Sequence, residues 1–136
     1  MNKILTAVFL AGFGAQLVKL ILLWFKYKTL SFKDIVVTGG MPSSHSAFAV
    51  SLATIVYLAE GASTAFAVSL VLAVLVIRDA FGVRRTVGEE GLVINQLLKK
   101  VHLKTKTHFS MGHTPWQVFA GGVWGLAISL LVYYFI

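Results

Sequence analysis

Cysteine is absent from this chain of 136 residues, which excludes disulfides, thiolate catalysis and cysteine metal sites. Acidic residues are scarce, five against twelve basic, for a formal charge of +7. With so few carboxylates, neither a metal centre nor another cofactor is implied. Long polar segments are missing too. Apolar residues make up 57% of the chain and the mean hydropathy is +0.83, well above a soluble domain. The excess of positive charge points to anionic lipid and not to nucleic acid, because the basic residues alternate with apolar spans. The length fits a single domain over 1–136. Lys3 and the apolar run behind it have the outline of a signal peptide. The run continues to Phe25 without a small-residue cleavage pattern, so it reads as a retained membrane segment.

Apolar stretches of membrane length lie at about 4–25, 44–60, 62–81 and 115–136, predicting an all-α polytopic membrane protein with four transmembrane helices. The second is short for a span. Glu60-Gly61-Ala62-Ser63 is the only polar break between the second and third, which makes them a tight hairpin. Val83, Val87, Ile94, Leu97, Leu98 and Val101 recur at helical spacing beside Lys99 and Lys100, the pattern of an amphipathic helix on a membrane surface. Gly88 and Gly91 weaken its first turns. Gly121 and Gly125 have the small-xxx-small spacing that allows close helix contact, and four short helices bury little surface, so a homodimer is open to this chain.

The basic residues sort by side. Lys26, Lys28 and Lys33 lie between the first two spans; Arg78, Arg84, Arg85, Lys99, Lys100, Lys104 and Lys106 lie around the loop before the last. The positive-inside rule then puts both long loops in the cytoplasm and both termini outside the cell membrane. Every polar oddity falls at that cytoplasmic mouth. Gly39-Gly40-Met41-Pro42-Ser43-Ser44-His45-Ser46 opens the second span, Arg78-Asp79 closes the third, and Gly112-His113-Thr114-Pro115 opens the fourth. Lys19 lies about two turns inside the end of the first, where a charge is costly and marks a site or a paired group.

Each of these groups suits phosphate chemistry. The helix start after Pro42 offers free N–H groups and the positive end of a helix dipole, to which Ser43, Ser44 and Ser46 add hydroxyls. Arg78 and Arg85, seven apart with Gly82 between them, share a face if the helix runs on, and would fork around a tetrahedral anion. His45 and His113 are the groups suited to general acid and nucleophile near neutral pH. A plainer reading stands beside this one. Ser43 is a good helix N-cap, Thr114-Pro115-Trp116-Gln117 reads as a capping box with proline at the first helical position, Arg84, Arg85, Lys26 and Lys28 are ordinary headgroup anchors, and Lys19 can snorkel to the interface. His102 and His108 carry no assigned chemistry.

Pro42-Ser43-Ser44-His45, the block Arg78-Asp79-Ala80-Phe81-Gly82-Val83-Arg84-Arg85 with Gly88 and Glu89, and Gly112-His113-Thr114-Pro115 together resemble the divergent branch of the type 2 phosphatidic acid phosphatase (PAP2) superfamily, whose wider membership includes acid phosphatases and vanadium-dependent haloperoxidases. That superfamily has three motifs, K-x6-R-P, P-S-G-H and S-R-x5-H-x3-D. The resemblance implies that His45 is a general acid, that His113 forms a phosphohistidine, and that Ser43 and Ser44 bind phosphate. The first motif is only echoed: Lys19 and Lys26 keep its spacing, but lysine and Tyr27 replace arginine and proline. In the third motif Lys106 and Thr107 stand where serine and arginine belong, and Gln117 stands at the aspartate. A neutral amide can orient the imidazole but cannot offset its charge, so Asp79 or Glu89 would have to substitute. Arg78, Arg84 or Arg85 would likewise replace the missing arginine.

These residues predict a phosphatase for a lipid phosphate of the cytoplasmic leaflet, of the phosphatidate or phosphatidylglycerol phosphate type, with Arg78, Arg84, Arg85 and Lys19 balancing the phosphate. A cytoplasmic mouth argues against a polyprenyl diphosphate handled outside the cell. The alternative is a non-catalytic membrane protein that binds anionic headgroups. A channel or carrier finds little support, because polar residues do not continue through the bilayer.

Overall fold

The computed structural model describes residues 2–28, 40–103 and 112–136. Lys33, Gly39, Lys104, Lys106, Thr107 and His108 lie outside the described residues. The described residues form five helices and no strand: α1 (Lys3–Tyr27), α2 (Ser44–Glu60), α3 (Thr64–Phe81), α4 (Val83–Lys100) and α5 (Pro115–Phe135).

Local chemistry sets most of the boundaries. The Asn2 side chain accepts from the Ile4 N–H at 3.0 Å and starts α1. Ser43 and Ser63 cap α2 and α3 in the same way. Only residues 61–63 separate those two helices, and Gly61 turns there at φ 67°, a left-handed backbone that costs glycine nothing. Gly82 ends α3 with φ −94° and ψ −97°. A β-carbon there would lie 2.6 Å from the Arg78 carbonyl oxygen, so the chain can bend at this point only because the side chain is missing. Thr114 caps α5 through a reciprocal box with Gln117, with Pro115 at the first turn.

Among the described residues, three helical stretches are long and apolar enough to cross a membrane: Lys3–Lys26, the stretch that begins at Thr64, and Pro115–Phe135. Length and composition do not by themselves support the exact count of four spans. With 17 residues, α2 rises about 26 Å, short of the ~30 Å hydrocarbon core. It is instead the central helix, packed against α1, α3 and α5, so much of its surface meets protein and has no need to match the bilayer.

Small residues draw the helices together, as expected where lipid is as apolar as any core. Along α2, Ser43, Ala47 and Ser51 recur every fourth residue and meet Gly121, Gly125 and Ser129 of α5. β-Carbons on Gly121 and Gly125 would lie 2.2 Å from the Ser43 carbonyl oxygen and 2.5 Å from that of Ala47. Ser51 and Ser129 hydroxyls meet at 2.8 Å. The glycine pair expected to allow close contact therefore seats α5 on α2 within one chain. On α1 a second row, Ala7, Ala11 and Ala15, is fully buried and continues four residues on to Lys19, also buried. Its first member packs with Ile55 and Val132, so the start of α1 lies beside the ends of α2 and α5. The opposite ends gather Lys19, the starts of α2 and α5, and the end of α3.

The amphipathic helix is present as α4. Its buried residues are Gly88 and Gly91, while Val83, Val87, Ile94, Leu97 and Val101 are exposed. That leaves an apolar stripe without a protein partner among the described residues, as a helix lying on a membrane requires.

Candidate functional site

The chain is pinned on both sides of His113. Its N–H donates to the Ala80 carbonyl at 3.0 Å. Ala80 belongs to the last turn of α3, where carbonyls lack a partner four residues on, and the break at Gly82 leaves this one for His113. One residue earlier, a β-carbon on Gly112 would lie 2.4 Å from the Arg85 nitrogen; only glycine lets the segment before α5 lie on the start of α4. One turn later, the Ser43 N–H donates to the Gln117 carbonyl at 3.1 Å and ties the start of α2 to α5. Three helix termini are thus joined by backbone contacts around one imidazole.

The ring itself is buried and its Nδ1 lies 3.3 Å from Gln117 Oε1. The same oxygen accepts from the Thr114 N–H at 3.1 Å. A backbone N–H can only donate, which identifies the facing atom of Gln117 as its oxygen, and an amide oxygen can only accept. Nδ1 therefore carries the proton and Nε2 keeps its lone pair in the neutral ring. The capping reading of Gln117 holds, and the same amide reaches the ring: it closes the helix start and faces His113 Nδ1. Burial pushes the His113 pKa below the ordinary histidine value. The Gln117 hydrogen bond opposes this, the positive fields of His45 and Lys19 deepen it, and a hydrogen bond with the Gly40 backbone opposes it again.

His45, in the first turn of α2, presents its ring 6.4 Å from that of His113, centroid to centroid, tilted by 59°. A cavity of about 260 Å³ lies beside it, lined by His45, Leu75, Val76, Asp79, Ala80 and Arg84. Lys19 reaches the same region from α1, its side-chain carbons 3.6 Å from where a Gly40 β-carbon would stand. Ser43 is fully buried; its Oγ accepts from the Ser46 N–H at 3.4 Å and the Ser46 hydroxyl at 3.1 Å, so it serves as an N-cap. Ser44 is half-buried in the first turn.

The arginines divide differently from the expected pattern. The bend at Gly82 breaks the face that Arg78 and Arg85 were to share. Arg85 pairs with Glu89 at 3.0 Å on the outer surface of α4, and Arg78 is exposed. Arg84 is the one that lines the cavity with His45, bridging back across the bend to Asp79 at 2.6 Å. Asp79 and Glu89 are each engaged by an arginine, and no carboxylate is among the groups acting on the His113 ring. Among the described residues the substitution for the motif aspartate expected from them is not made; the side chain facing Nδ1 is Gln117. The Ala80 carbonyl carried no sequence signal, since any residue supplies one, whereas Gly112 was marked by its place before the histidine. Among the described residues no group of three or more histidine or acidic side chains could hold a metal ion.

The chain matches the divergent PAP2 family over residues 1–128. It is also 36% identical over 138 aligned positions, 89% of this chain and 87% of the relative, to a protein of Bacillus subtilis (strain 168) named as the uncharacterized membrane protein YuiD. No solved structure matches it. Family match, apolar helices and the paired histidine motifs agree, and this membrane protein belongs to the divergent PAP2 family.

Proposed function

We infer that the protein is a lipid phosphate phosphatase of the cytoplasmic leaflet, acting on a phosphatidate or phosphatidylglycerol phosphate type of substrate through a phosphohistidine. The observation that carries this reading is the facing pair of imidazoles, 6.4 Å apart, one of them held at Nδ1 by Gln117 Oε1. A phosphoryl group between the rings has a nucleophile on one side and a proton donor on the other. His113 Nε2 attacks phosphorus in line and the lipid alkoxide leaves with a proton from His45. Water then attacks the phosphohistidine, His45 takes the proton back, and inorganic phosphate departs. Arg84, Lys19 and the N–H groups at the start of α2 balance the phosphate charge. Such chemistry is mostly positioning and charge stabilisation.

The sidedness belongs to the same proposal. Lys26, Lys28, Arg84, Lys99 and Lys100 follow or flank the helix ends that carry the site, whereas Lys3 is at the far end and bonds the Tyr133 carbonyl. By the positive-inside rule the mouth faces the cytoplasm and the termini lie outside.

A second reading, a headgroup-binding protein without turnover, is favoured by one feature: the neutral Gln117 at the family's aspartate. A phosphate-release screen across lipid phosphates separates the two. The phosphatase releases phosphate from phosphatidate or phosphatidylglycerol phosphate, vanadate inhibits it, and His113→Ala lowers the rate by about 10³-fold or more. Saturable lipid binding without release, or full activity in His113→Ala, contradicts the mechanism.

A further inference from the structure

The cavity of about 260 Å³ at the mouth borders one imidazole of the facing pair: His45 lies in its wall and His113 does not. That asymmetry has a chemical meaning. In phosphoryl transfer the attacking and leaving groups lie roughly in line on opposite sides of phosphorus. With His113 attacking and His45 supplying the proton, the leaving alcohol lies on the His45 side, where the cavity is. Its volume falls below the ~300–1,000 Å³ of pockets that enclose a drug-sized molecule. A headgroup fits it, and a pair of acyl chains does not.

Asp79 is the residue in that wall which a phosphate alone does not explain. A carboxylate repels a phosphate dianion, and the side chain facing His113 Nδ1 is Gln117. Fold stability does not explain it either. The Arg84 and Asp79 side chains are 43% and 42% exposed, and an ion pair so open to solvent adds little. An ionised carboxylate has about four acceptor positions, of which Arg84 Nε takes one, at Oδ2. The guanidinium has its terminal N–H groups besides. Bridged, the two side chains are neutral as a pair, and they bring acceptors and donors into a wall shared with Leu75 and Val76. Acceptors, donors and short apolar side chains together suit the hydroxyls and C–H faces of a polyol.

We propose that this cavity holds the leaving group and that Asp79 selects a hydroxylated one. The substrate is then a phosphate monoester whose ester oxygen neighbours a free hydroxyl, as in phosphatidylglycerol phosphate and not in phosphatidate. As the phosphorus–oxygen bond breaks, its electron pair stays on the headgroup oxygen, which takes the proton of His45. The neighbouring hydroxyl donates to Asp79 throughout. Diacylglycerol, the alcohol released from phosphatidate, has an acyl ester at that place and nothing to donate. The inference rests on the phosphatase reading and selects between the two substrates it names.

The test uses the full chain in phosphatidylcholine nanodiscs with three lipids: phosphatidylglycerol phosphate, its analogue lacking the free headgroup hydroxyl, and phosphatidate. In kcat/KM for phosphate release the first exceeds the other two by about 10-fold or more, the scale of one hydrogen bond to a charged group. Asp79→Ala brings the three values together. Asp79 also acts on the charge of His45, but this changes all three rates by one factor, and so does a bridge that only holds the bend. The ratio therefore reads the contact, and the wild-type ratio stands even if Asp79→Ala does not fold. Binding of the uncleavable phosphonates, with a methylene in place of the scissile ester oxygen, follows the same order. Equal release from the three lipids, faster release from phosphatidate, or a ratio unchanged in Asp79→Ala overturns the proposal. Preferential binding of the hydroxylated phosphonate without release from any lipid sinks the phosphatase reading and keeps the headgroup cavity. Release without preference sinks the cavity assignment alone.

Discussion

The two ends of the helix bundle are built from different materials. At the far end, the start of α1 meets the ends of α2 and α5 through Ala7, Ile55 and Val132, and Lys3 donates to the Tyr133 carbonyl at the surface. At the mouth the same three helices bury Lys19, Ser43 and His113, and the chain is tied by backbone hydrogen bonds from His113 to Ala80 and from Ser43 to Gln117. Alanine and glycine rows run the whole length and suffice to pack both ends. Burying polar groups in a small membrane bundle costs stability, so the mouth carries groups that packing does not ask for. Fold and site are separable along the bundle axis: one end secures the structure, the other places chemistry.

The largest effect expected from breaking this contrast comes from Lys19→Met, which extends the apolar row of α1 into the mouth. Phosphate release per folded molecule falls by about 100-fold, the scale of losing one charge-stabilising group. A fall in stability with the per-molecule rate intact would merge the two ends and undo the distinction.

A smaller effect sharpens the mouth itself. The nucleophile must be unprotonated and His45 must carry the proton it donates, so kcat/KM rises with pH through the His113 pKa and falls again as His45 loses its proton. Burial holds that pKa below the ordinary histidine value, which puts the acid limb of the wild type below the usual range near ~6.5. In Gln117→Asp the carboxylate favours the protonated ring; the acid limb moves up in pH and the maximal rate rises about 3- to 10-fold as the imidazolium is stabilised. Initial-rate profiles of the two proteins show the shift. A limb displaced downward, or one that does not move, would mean that residue 117 does not act on the nucleophile.

Helix positions were legible in the sequence because their signals are local: Ser43 and Thr114 as caps, Glu60-Gly61-Ala62-Ser63 as a break. The glycine spacing of Gly121 and Gly125 correctly announced a close contact, though spacing cannot say whether the partner is α2 or another copy. The two histidines were marked by their motifs. The division of the arginines was hidden, since the bend at Gly82 depends on ψ at one residue and decides that Arg84, and neither Arg78 nor Arg85, turns to the cavity. The Ala80 carbonyl was equally hidden, as backbone groups leave no trace in residue type. Length alone does not establish α2 as a fourth span: it has the apolarity of one, but its place at the centre of the bundle is a tertiary property.

The central claim is that His113 is a nucleophile, and trapping its covalent intermediate tests this most directly. Protein reconstituted with phosphatidate carrying radiolabelled phosphate is quenched in alkali during turnover, digested and mapped. The account predicts label on the peptide containing His113, stable in alkali, lost in acid and absent from His113→Ala. Turnover with no label on His113, or label that persists in His113→Ala, would contradict it.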